Sequence, residues 1–544
     1  MLIDLAGADA LPAPGRADIV VIGAGIAGLV LAARLARLGV HTIVLESGGR
    51  DSPLGEHDQL NHAVLAGQPY RGATHGRSRG LGGTSRQWGG AMLPFLPCDM
   101  ADHTAGWGPS WPVSYEELAP HFEPITRMFR LPEGPFEIGM PSRARSTVNA
   151  DFIMRSAKWP RFGLRNLCRT LAADIAHDRL PICLGATVHG FRLDANGRVS
   201  HVLARSRAGA EIAVAANEVV IAAGAIESTR LLLLLDAAND GRIFAPDRLL
   251  GCHFYDHLST AAAVVVPASP SRLNATFGLS ISARGMRDFR IEPSAELRRA
   301  AGLPAAFAHL AAVSGADSGF TAVRGLHRQL QSNASINWRK VAALTRDMPW
   351  LVRAAWWRAW HGRVLYARDA RFELMLVTEQ MPNPASRISL SQTVRDPLGV
   401  PQAVIDWRTS AADVEAFAAL QERLLRWWAA GAFADVARLE PVPREIWIDR
   451  LGCEADVFHP GGTTRMGSSP ADGVVDGDLR TFRVPNLSVV STSTFPTGGG
   501  ANPTFMLMAF ALRAAERLAA AEDGDRPQAV ALSRSGSSTE DHAT

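Results

Sequence analysis

Short apolar runs near the N-terminus alternate with glycines and predict a strand, a turn, a helix and a second strand. Ile19–Ile22 is brief and rich in β-branched residues, which is typical of a buried parallel strand. The turn Gly23-Ala24-Gly25-Ile26-Ala27-Gly28 leads into a helix-like segment that ends at Gly39. Thr42–Leu45 is the second apolar run, and Glu46 follows it, 18 residues after Gly28. This order predicts the start of a parallel sheet.

The glycines and the acid of this unit each suit a dinucleotide site. Gly23 permits the tight turn, and Gly25 lets the backbone approach a pyrophosphate at the helix N-terminus. Gly28 allows the helix to pack closely on the strand. Glu46 can accept hydrogen bonds from both ribose hydroxyls, and its charge would repel a 2′-phosphate. The pattern therefore predicts a site for the ADP moiety of FAD or NAD rather than of NADP.

Apolar patterning predicts further elements along the chain. Two period-2 runs flank Ala195-Asn196-Gly197 and indicate a hairpin, and Glu218–Leu234 indicates a strand, a glycine turn and a helix. Residues 259–345 alternate apolar and polar stretches, which predicts a second sheet. Residues 371–408 resemble strands joined by turns, and 411–430 form an amphipathic pattern that ends at Gly431.

Two other glycine-rich segments stand out. Arg79–Gly90 encloses Trp88, which argues against a freely exposed loop because a tryptophan there should pack against something. Near the C-terminus, the run from His459 to Gly467 precedes an expected strand, Leu487–Ser491. Pro496–Pro503 then precedes an expected helix through Leu518, and the polar residues 521–544 are expected to be disordered.

Asp347–His361 predicts a helix with unusual composition, since Asp347 can cap it and Gly362 can end it. Arginines are interleaved with four tryptophans, which are Trp350, Trp356, Trp357 and Trp360. One interpretation is an interfacial membrane helix. The other is a helix that packs on, or covers, a substrate domain. We favour the second, because the helix has no long aliphatic face.

Composition narrows the class of protein. A chain of 544 residues suggests two or three domains, and 47% apolar with 20% charged residues is typical of a soluble globular protein. A net charge of +3 gives no indication of nucleic-acid binding. The five cysteines are scattered and never spaced as C-x-x-C, which argues for a reducing compartment and against a zinc site, and we expect no metal. Residues 1–16 lack a signal-peptide pattern, so we expect a cytoplasmic protein that does not associate with membranes.

Four motifs, in order, resemble those of the glucose–methanol–choline (GMC) oxidoreductases, a family of FAD-dependent alcohol oxidases and dehydrogenases. They are the turn at 23–28 with Glu46, Gly-Gly-Thr-Ser at 82–85, Gly-Ala-Ile-x-Ser at 224–228, and the C-terminal pair His-x-x-Gly-Thr and Ala-Asn-Pro-Thr. The resemblance implies an α/β fold: a discontinuous Rossmann-like FAD-binding domain (1–95, 161–260 and 455–523) and a substrate domain with an antiparallel sheet and helices (96–160 and 261–454). Residues 524–544 would form a tail.

The resemblance also implies roles for single residues. His459 falls on the active-site histidine, and Asn502 falls on the second catalytic position. The residues expected to contact FAD are Gly23, Gly25, Ile26, Ala27, Gly28, Glu46, Ser47, Gly82, Gly83, Thr84, Ser85, Trp88, Gly89, Gly90, Val188, Ala223, Gly224, Ser491, Asn502, Pro503 and Thr504.

Departures from the family pattern refine this picture. Gln87 stands where members with covalent FAD often have the linking histidine, so the FAD is expected to be non-covalent. Ser491 stands where an aspartate is common, which changes one cofactor contact. Glu379 and Gln380 end an expected strand and are candidates for substrate binding.

Alcohol oxidation needs a base for the hydroxyl proton, and a histidine such as His459 has a suitable pKa. Asn502 offers both a donor and an acceptor for the substrate oxygen. The run Gly83–Gly90 resembles that of bacterial family members acting on sugars, glycosides or related natural products, which implies a substrate of that kind. We therefore expect FAD-dependent oxidation of a primary or secondary alcohol on such a small molecule, with oxygen, a quinone or a redox protein as the open choice of acceptor. The alternative is an NAD-linked Rossmann dehydrogenase or a dinucleotide-binding protein without turnover.

Overall fold

The computed structural model of the chain describes residues 1–5, 15–50, 52, 57–101, 110–138, 150–244, 248–315, 318–332, 335, 338–431 and 433–525. The predicted tail from residue 526 onward lies outside these ranges. The last helix continues to Asp525, so its end predicted at Leu518 is too early, and residues 521–525 are helical rather than disordered.

The strands are numbered along the chain. They are β1 (Leu2–Asp4), β2 (Ala17–Ile22), β3 (Thr42–Leu45), β4 (Val64–Leu65), β5 (Phe152–Arg155), β6 (Lys158–Pro160), β7 (Ile182–Leu184), β8 (Thr187–Leu193), β9 (Val199–Arg205), β10 (Glu211–Ile221), β11 (Leu258–Pro267), β12 (Ser280–Ser282), β13 (Gly285–Arg287), β14 (Arg290–Pro293), β15 (Ala306–Val313), β16 (Arg371–Thr378), β17 (Arg387–Arg395), β18 (Pro401–Asp406), β19 (Ala437–Pro441) and β20 (Leu487–Val489).

The helices follow the same numbering. They are α1 (Ile26–Arg37), α2 (Pro97–Met100), α3 (Tyr115–Leu118), α4 (Phe122–Met128), α5 (Phe162–Arg165), α6 (Leu167–Thr170), α7 (Ala172–Ile175), α8 (Ala225–Ala237), α9 (Pro270–Phe277), α10 (Ala295–Ala301), α11 (Gly319–Ser332), α12 (Trp338–Arg346), α13 (Met348–His361), α14 (Ala411–Ala430), α15 (Arg444–Cys453) and α16 (Thr504–Asp525).

The largest sheet has the order β1-β7-β3-β2-β10-β9-β8, with β20 also paired to β10. The pairs β1–β7, β7–β3, β3–β2, β2–β10 and β10–β20 are parallel, and the predicted hairpin β8–β9 is antiparallel. The carboxyl ends of β2, β10 and β20 therefore meet at one edge, which is where a doubly wound sheet binds its ligand.

A six-stranded antiparallel sheet, ordered β19-β11-β16-β15-β14-β5, forms the second layer. Its strands come from 152–155 and from 258–441, whereas those of the large sheet come from 2–45, 182–221 and 487–489. A short third sheet pairs β18 with β4 and so links the two parts of the chain.

The prediction that residues 259–345 form a second sheet is wrong in part. Residues 259–345 do supply strands of the second sheet, but α11 and α12 occupy most of its last third, and α9 and α10 interrupt it earlier. On α11, Phe320 and Val323 recur at helical spacing and pack with Trp350, which the strand prediction did not consider. The helix predicted at 347–361 is present as α13, and Gly362 ends it in the left-handed conformation.

Candidate active site

The turn between β2 and α1 has the geometry predicted for its glycines. Gly23 has φ +105°, a region that favours glycine. A Cβ on Gly28 would lie 1.9 Å from the carbonyl oxygen of Gly23, so α1 can approach β2 this closely only with glycine there. A Cβ on Gly25 would meet no described protein atom within 4 Å. Space for a ligand thus exists beside Gly25, at the N-terminus of α1.

A cavity opens at this edge of the large sheet. Many of the predicted FAD contacts line it, namely Gly23, Gly25, Ile26, Ala27, Glu46, Ser47, Gly83, Thr84, Val188, Ala223, Gly224, Ser491, Pro503 and Thr504. His459 lines it as well. The cavity therefore joins the dinucleotide turn to the predicted catalytic histidine.

Several predicted contacts lie beside this cavity and not in its wall. They are Gly28, Gly82, Ser85, Trp88, Gly89, Gly90 and Asn502. The Ser85 hydroxyl donates to the carbonyl of Gly82 at 2.6 Å, and Gly89 is exposed. Trp88 packs edge-on against Phe129, as its place in a glycine-rich loop suggested. Ser85 and Trp88 therefore help to shape the glycine-rich loop that borders the cavity.

Glu46 has a role that the sequence argument did not include. Its carboxylate accepts hydrogen bonds from the backbone amides of Ala24 at 2.7 Å and of Gly48 and Gly80, each at 2.8 Å. One buried acid thereby ties the dinucleotide turn to the Arg79–Gly90 segment. The same side chain lines the cavity, where it can still receive a ribose hydroxyl.

Two hydroxyl groups in the cavity wall support the binding of a polar cofactor. The hydroxyls of Ser78 and Thr187 are buried, and neither has a hydrogen-bond partner among the described residues. A buried polar group without a partner is costly, so such groups in a cavity wall indicate a polar ligand. Together with the open space at Gly25, they show that this cavity fits the ADP part of FAD.

His459 and Asn502 are brought together, as the resemblance implied. The side-chain nitrogen of Asn502 lies 3.0 Å from Nε2 of His459. The Asn502 oxygen accepts from Arg290 at 2.7 Å, and this bond fixes the orientation of the amide. Asn502 therefore donates to His459, and Nε2 is the nitrogen of the ring that carries a lone pair.

His257 completes this arrangement, and the sequence argument did not identify it. Its Nδ1 lies 3.3 Å from Nδ1 of His459, and its Nε2 lies 2.8 Å from the carbonyl oxygen of Gly499. Because Nε2 of His459 accepts, Nδ1 of His459 must donate to His257, and Nε2 of His257 must donate to Gly499. The only signal in the sequence was the polar pair Asp256-His257 directly before the apolar strand β11.

Asp256 holds the loop that carries His459. Its buried carboxylate accepts from the backbone amides of His459 at 2.9 Å and of His257 at 2.7 Å, and from the Tyr70 hydroxyl at 2.8 Å. Burial raises the pKa of Asp256 to about 7. Ligand atoms of Asp256, His257 and His459 lie within 4.8 Å of one another, but each is already engaged in these hydrogen bonds. The cluster is therefore a hydrogen-bond network.

The electrostatic environment keeps His459 neutral. Burial lowers its pKa well below the ordinary value for histidine, and the neighbouring His257 and Arg290 lower it further. Burial also lowers the pKa of His257. A neutral imidazole that carries its lone pair at Nε2 is the form that can accept a proton.

Glu379 and Gln380 are both buried, and their polar atoms bind protein groups of neighbouring segments. Glu379 accepts from the amides of Gly499 at 2.9 Å and Ala305 at 3.2 Å. Gln380 accepts from the amide of Asp256 at 3.2 Å. The structure thus connects Glu379 to His257 through the single residue Gly499, whose φ of +67° favours glycine.

Comparison with known proteins agrees with this geometry. Residues 382–511 match the family model described as GMC oxidoreductase, and residues 21–53 match the NAD(P)-binding Rossmann-like domain. Paromamine 6′-oxidase of Streptomyces fradiae is 28% identical, over 92% of this chain and 91% of its own. The fructose dehydrogenase large subunit of Gluconobacter japonicus is 24% identical, over 92% of this chain and 97% of its own.

Solved structures share the fold. Pyridoxine 4-oxidase from Mesorbium loti aligns with a TM-score of 0.57 and 19% identity, covering 92% of this chain and 99% of that one. The α/β fold with a Rossmann-like domain is confirmed by these matches. The full-length relatives do not favour the alternative of an NAD-linked dehydrogenase or a binding protein without turnover.

Proposed function

We propose that this chain, which is similar to the GMC oxidoreductases, is a flavin-dependent enzyme that converts a primary or secondary alcohol of a polar, sugar-like molecule to a carbonyl. The observation that carries this proposal is the hydrogen-bonded pair His459–Asn502 beside the dinucleotide cavity. It offers one proton acceptor and one hydrogen-bond donor at the same point, which are the two groups that an alcohol oxygen needs as it loses its proton.

FAD would be held by the turn at Gly23–Gly28 and by Glu46, with the hydroxyls of Ser78 and Thr187 as further partners. When bound, the flavin supplies the acceptor for the hydride that leaves the alcohol carbon. We propose that the FAD is not covalently attached through residue 87. Gln87 occupies that position, and its amide nitrogen donates to the carbonyl of Arg77 at 3.2 Å.

Residues of the chain itself would accept the hydroxyl proton that the alcohol loses. A substrate hydroxyl would replace the bond between Asn502 and His459: its proton goes to Nε2 of His459, and the Asn502 N–H donates to the substrate oxygen instead. The positive imidazolium that forms is stabilised by its Nδ1–H bond to His257, which in turn donates to the carbonyl of Gly499. His257 is therefore a positioning residue that fixes the tautomer of His459.

Two buried polar groups on the second sheet favour a polar substrate. Nη1 of Arg290 and Nδ1 of His309 are buried, and neither has a hydrogen-bond partner in the described part of the chain. The two residues face each other across β14 and β15, because Ile291 pairs with Ala308. Arg290 also reaches Asn502, which places its unpartnered Nη1 near the proposed base. Hydroxyl groups of a sugar-like molecule would satisfy them.

Anaerobic mixing of the purified holoprotein with a panel of alcohols tests the proposal. Fructose and simple glycosides should bleach the flavin absorption faster than ethanol or 1-butanol of equal concentration, with formation of a carbonyl product. A flavin that none of the panel reduces, while dithionite does, would contradict it. Acid precipitation should leave yellow flavin in the supernatant, and a yellow pellet would contradict the non-covalent assignment.

A further inference from the structure

Helix α13 has two apolar faces, and only one of them is covered. Trp350 and Trp357 are buried, and Trp350 packs edge-on against Phe320 and donates from Nε1 to the carbonyl of Tyr366 at 3.2 Å. This face satisfies the sequence-based expectation of a packing helix. The opposite face does not, because large apolar side chains there are exposed to solvent.

The exposed side chains form a continuous stripe, which we call the α13 stripe: Met348, Val352, Trp356 and Trp360. Their exposed fractions are 49%, 64%, 55% and 76%. A spacing of four residues places them in one row on the helix surface, and the rings of Trp356 and Trp360 stack with centroids 6.2 Å apart. Arg353 and Arg358 flank the row without interrupting it.

The stripe is unlike the rest of the surface. Across the described residues, each exposed tryptophan lies on α12 or α13, namely Trp338, Trp356 and Trp360. Single exposed apolar residues are ordinary, but a contiguous row of this kind marks an interaction site. The contacts of Trp350 hold the other face of α13 against the protein. The stripe therefore belongs to a helix that is already packed through its opposite face.

Charge indicates what binds there. Between Ser318 and Arg363 the chain has eight lysines and arginines and one acid, Asp347, whereas the whole chain has a net charge of only +3. Asp347 is engaged, since its carboxylate accepts from the amide of Gly319 at 3.0 Å. A strongly basic surface around exposed tryptophans complements an anionic surface that also has an apolar interior.

We propose that the α13 stripe binds the surface of a bilayer that contains anionic phospholipids, with α13 lying in the plane of the interface. Tryptophan is favoured at the boundary between headgroups and acyl chains, and the flanking arginines would contact phosphate groups. The proposal does not involve a membrane-spanning helix. Within the described residues, no helix has both the length and the apolar character to cross a membrane. This proposal revises our expectation that the chain avoids membranes, and it does not depend on the proposed reaction.

The stripe is connected to the border of the active site. Helix α11 packs with α13, and Gln331 at its end donates to the carbonyls of Ser85 at 3.1 Å and Trp88 at 2.9 Å. A membrane-bound α13 would therefore hold the glycine-rich loop near the bilayer surface. An apolar electron acceptor or an alcohol dissolved in the membrane would then be delivered close to the cavity.

Vesicle flotation of the full-length holoprotein tests the proposal. The wild-type chain should float with phosphatidylcholine vesicles that contain phosphatidylglycerol, and bind pure phosphatidylcholine at least ~10-fold more weakly, because anionic lipid attracts each nearby arginine. The double variant Trp356→Ser/Trp360→Ser should lose at least ~10-fold in affinity, as expected when two interfacial aromatic side chains are removed. Raising the salt concentration should weaken the binding of the wild-type chain.

A matched control is Ile446→Ser on α15, since Ile446 is 44% exposed and lies on a different helix. It should bind vesicles as the wild type does, and all variants should keep the wild-type melting temperature. Absence of binding to anionic vesicles, or equal loss in Ile446→Ser and the tryptophan variant, would overturn the proposal. So would a wild-type dimer, seen by light scattering, that the tryptophan variant converts to monomer without any vesicle binding; the stripe would then be a self-association surface.

Discussion

Nδ1 of His459 and Nδ1 of His257 lie 3.3 Å apart, and this contact fixes which nitrogen of the His459 ring has the lone pair. The chain of bonds runs from Arg290 through Asn502, His459 and His257 to the carbonyl of Gly499. Each donor has one acceptor, so a change at any member alters the state of Nε2. The predictions below follow from this order.

Replacing His257 by alanine should slow flavin reduction by about 10- to 100-fold. The imidazolium of His459 would lose a charge-assisted hydrogen bond of ~1.5–3 kcal/mol, and each 1.36 kcal/mol is a factor of ten. His257→Asn should recover much of the rate, because the asparagine oxygen can accept from Nδ1 of His459. The measurement is the limiting reduction rate in anaerobic stopped flow; equal rates for alanine and asparagine would show that His257 only fills space.

The pH dependence should reflect the lowered pKa of His459. The neutral form exists above that pKa, so the reduction rate should stay constant as the pH falls through 6.5 and decrease only at lower pH. Arg290→Gln removes a positive charge that lowers this pKa, and should move the acid limb to higher pH. Arg290→Lys keeps the charge and is the control, with the limb unmoved. If the rate falls at the same pH in Arg290→Gln and Arg290→Lys, the charge of Arg290 does not set the pKa of the base, which would argue against His459 as that base.

Glu379 is expected to act on the rate and the stability, and not on substrate binding. In Glu379→Gln the amide cannot accept from both Gly499 and Ala305, so one buried N–H loses a partner at a cost of ~1–3 kcal/mol. The melting temperature and kcat should fall while KM stays near the wild-type value. A large rise in KM at unchanged kcat would instead place Glu379 against the substrate, as the sequence first suggested.

Two glycines of the dinucleotide turn should behave differently. Gly28→Ala forces a Cβ against the Gly23 carbonyl and should destabilise the fold by at least ~1–3 kcal/mol. Gly25→Ala meets no described protein atom and should fold normally but release its flavin. Urea unfolding of each apoprotein, with flavin content measured separately, checks this. Full flavin occupancy in Gly25→Ala would mean that the cofactor does not approach Gly25.

The elements that sequence predicted well depend on local patterns. The β2–α1–β3 unit, the hairpin β8–β9 and helix α14 have regular apolar spacing with glycine or polar ends, so each is specified within some 30 residues. His459 and Asn502 were identified in the same way, by short motifs. The helices α11 and α12 were missed because the strand prediction continued through residues 319–346, although Phe320 and Val323 of α11 recur at helical spacing and pack with Trp350.

The contacts that sequence did not reveal depend on pairing between distant segments. His257 and His459 are 202 residues apart, and only the approach of β11 to the C-terminal loop brings them together. Arg290 reaches Asn502 across 212 residues. Burial also cannot be inferred from one helix alone, so the sequence did not distinguish Trp357, which is covered, from Trp356, which is exposed.

The central claim is that His459 is the base for alcohol oxidation and Asn502 is its partner at the substrate oxygen. Anaerobic stopped-flow reduction by the best substrate tests it most directly, in variants that retain their flavin. His459→Ala should be slower than the wild type by ~10²–10⁴-fold, the usual contribution of a positioned base, and Asn502→Ala by about 10-fold, for one hydrogen bond. Reduction of the His459→Ala flavin at a rate near that of the wild type would contradict the account.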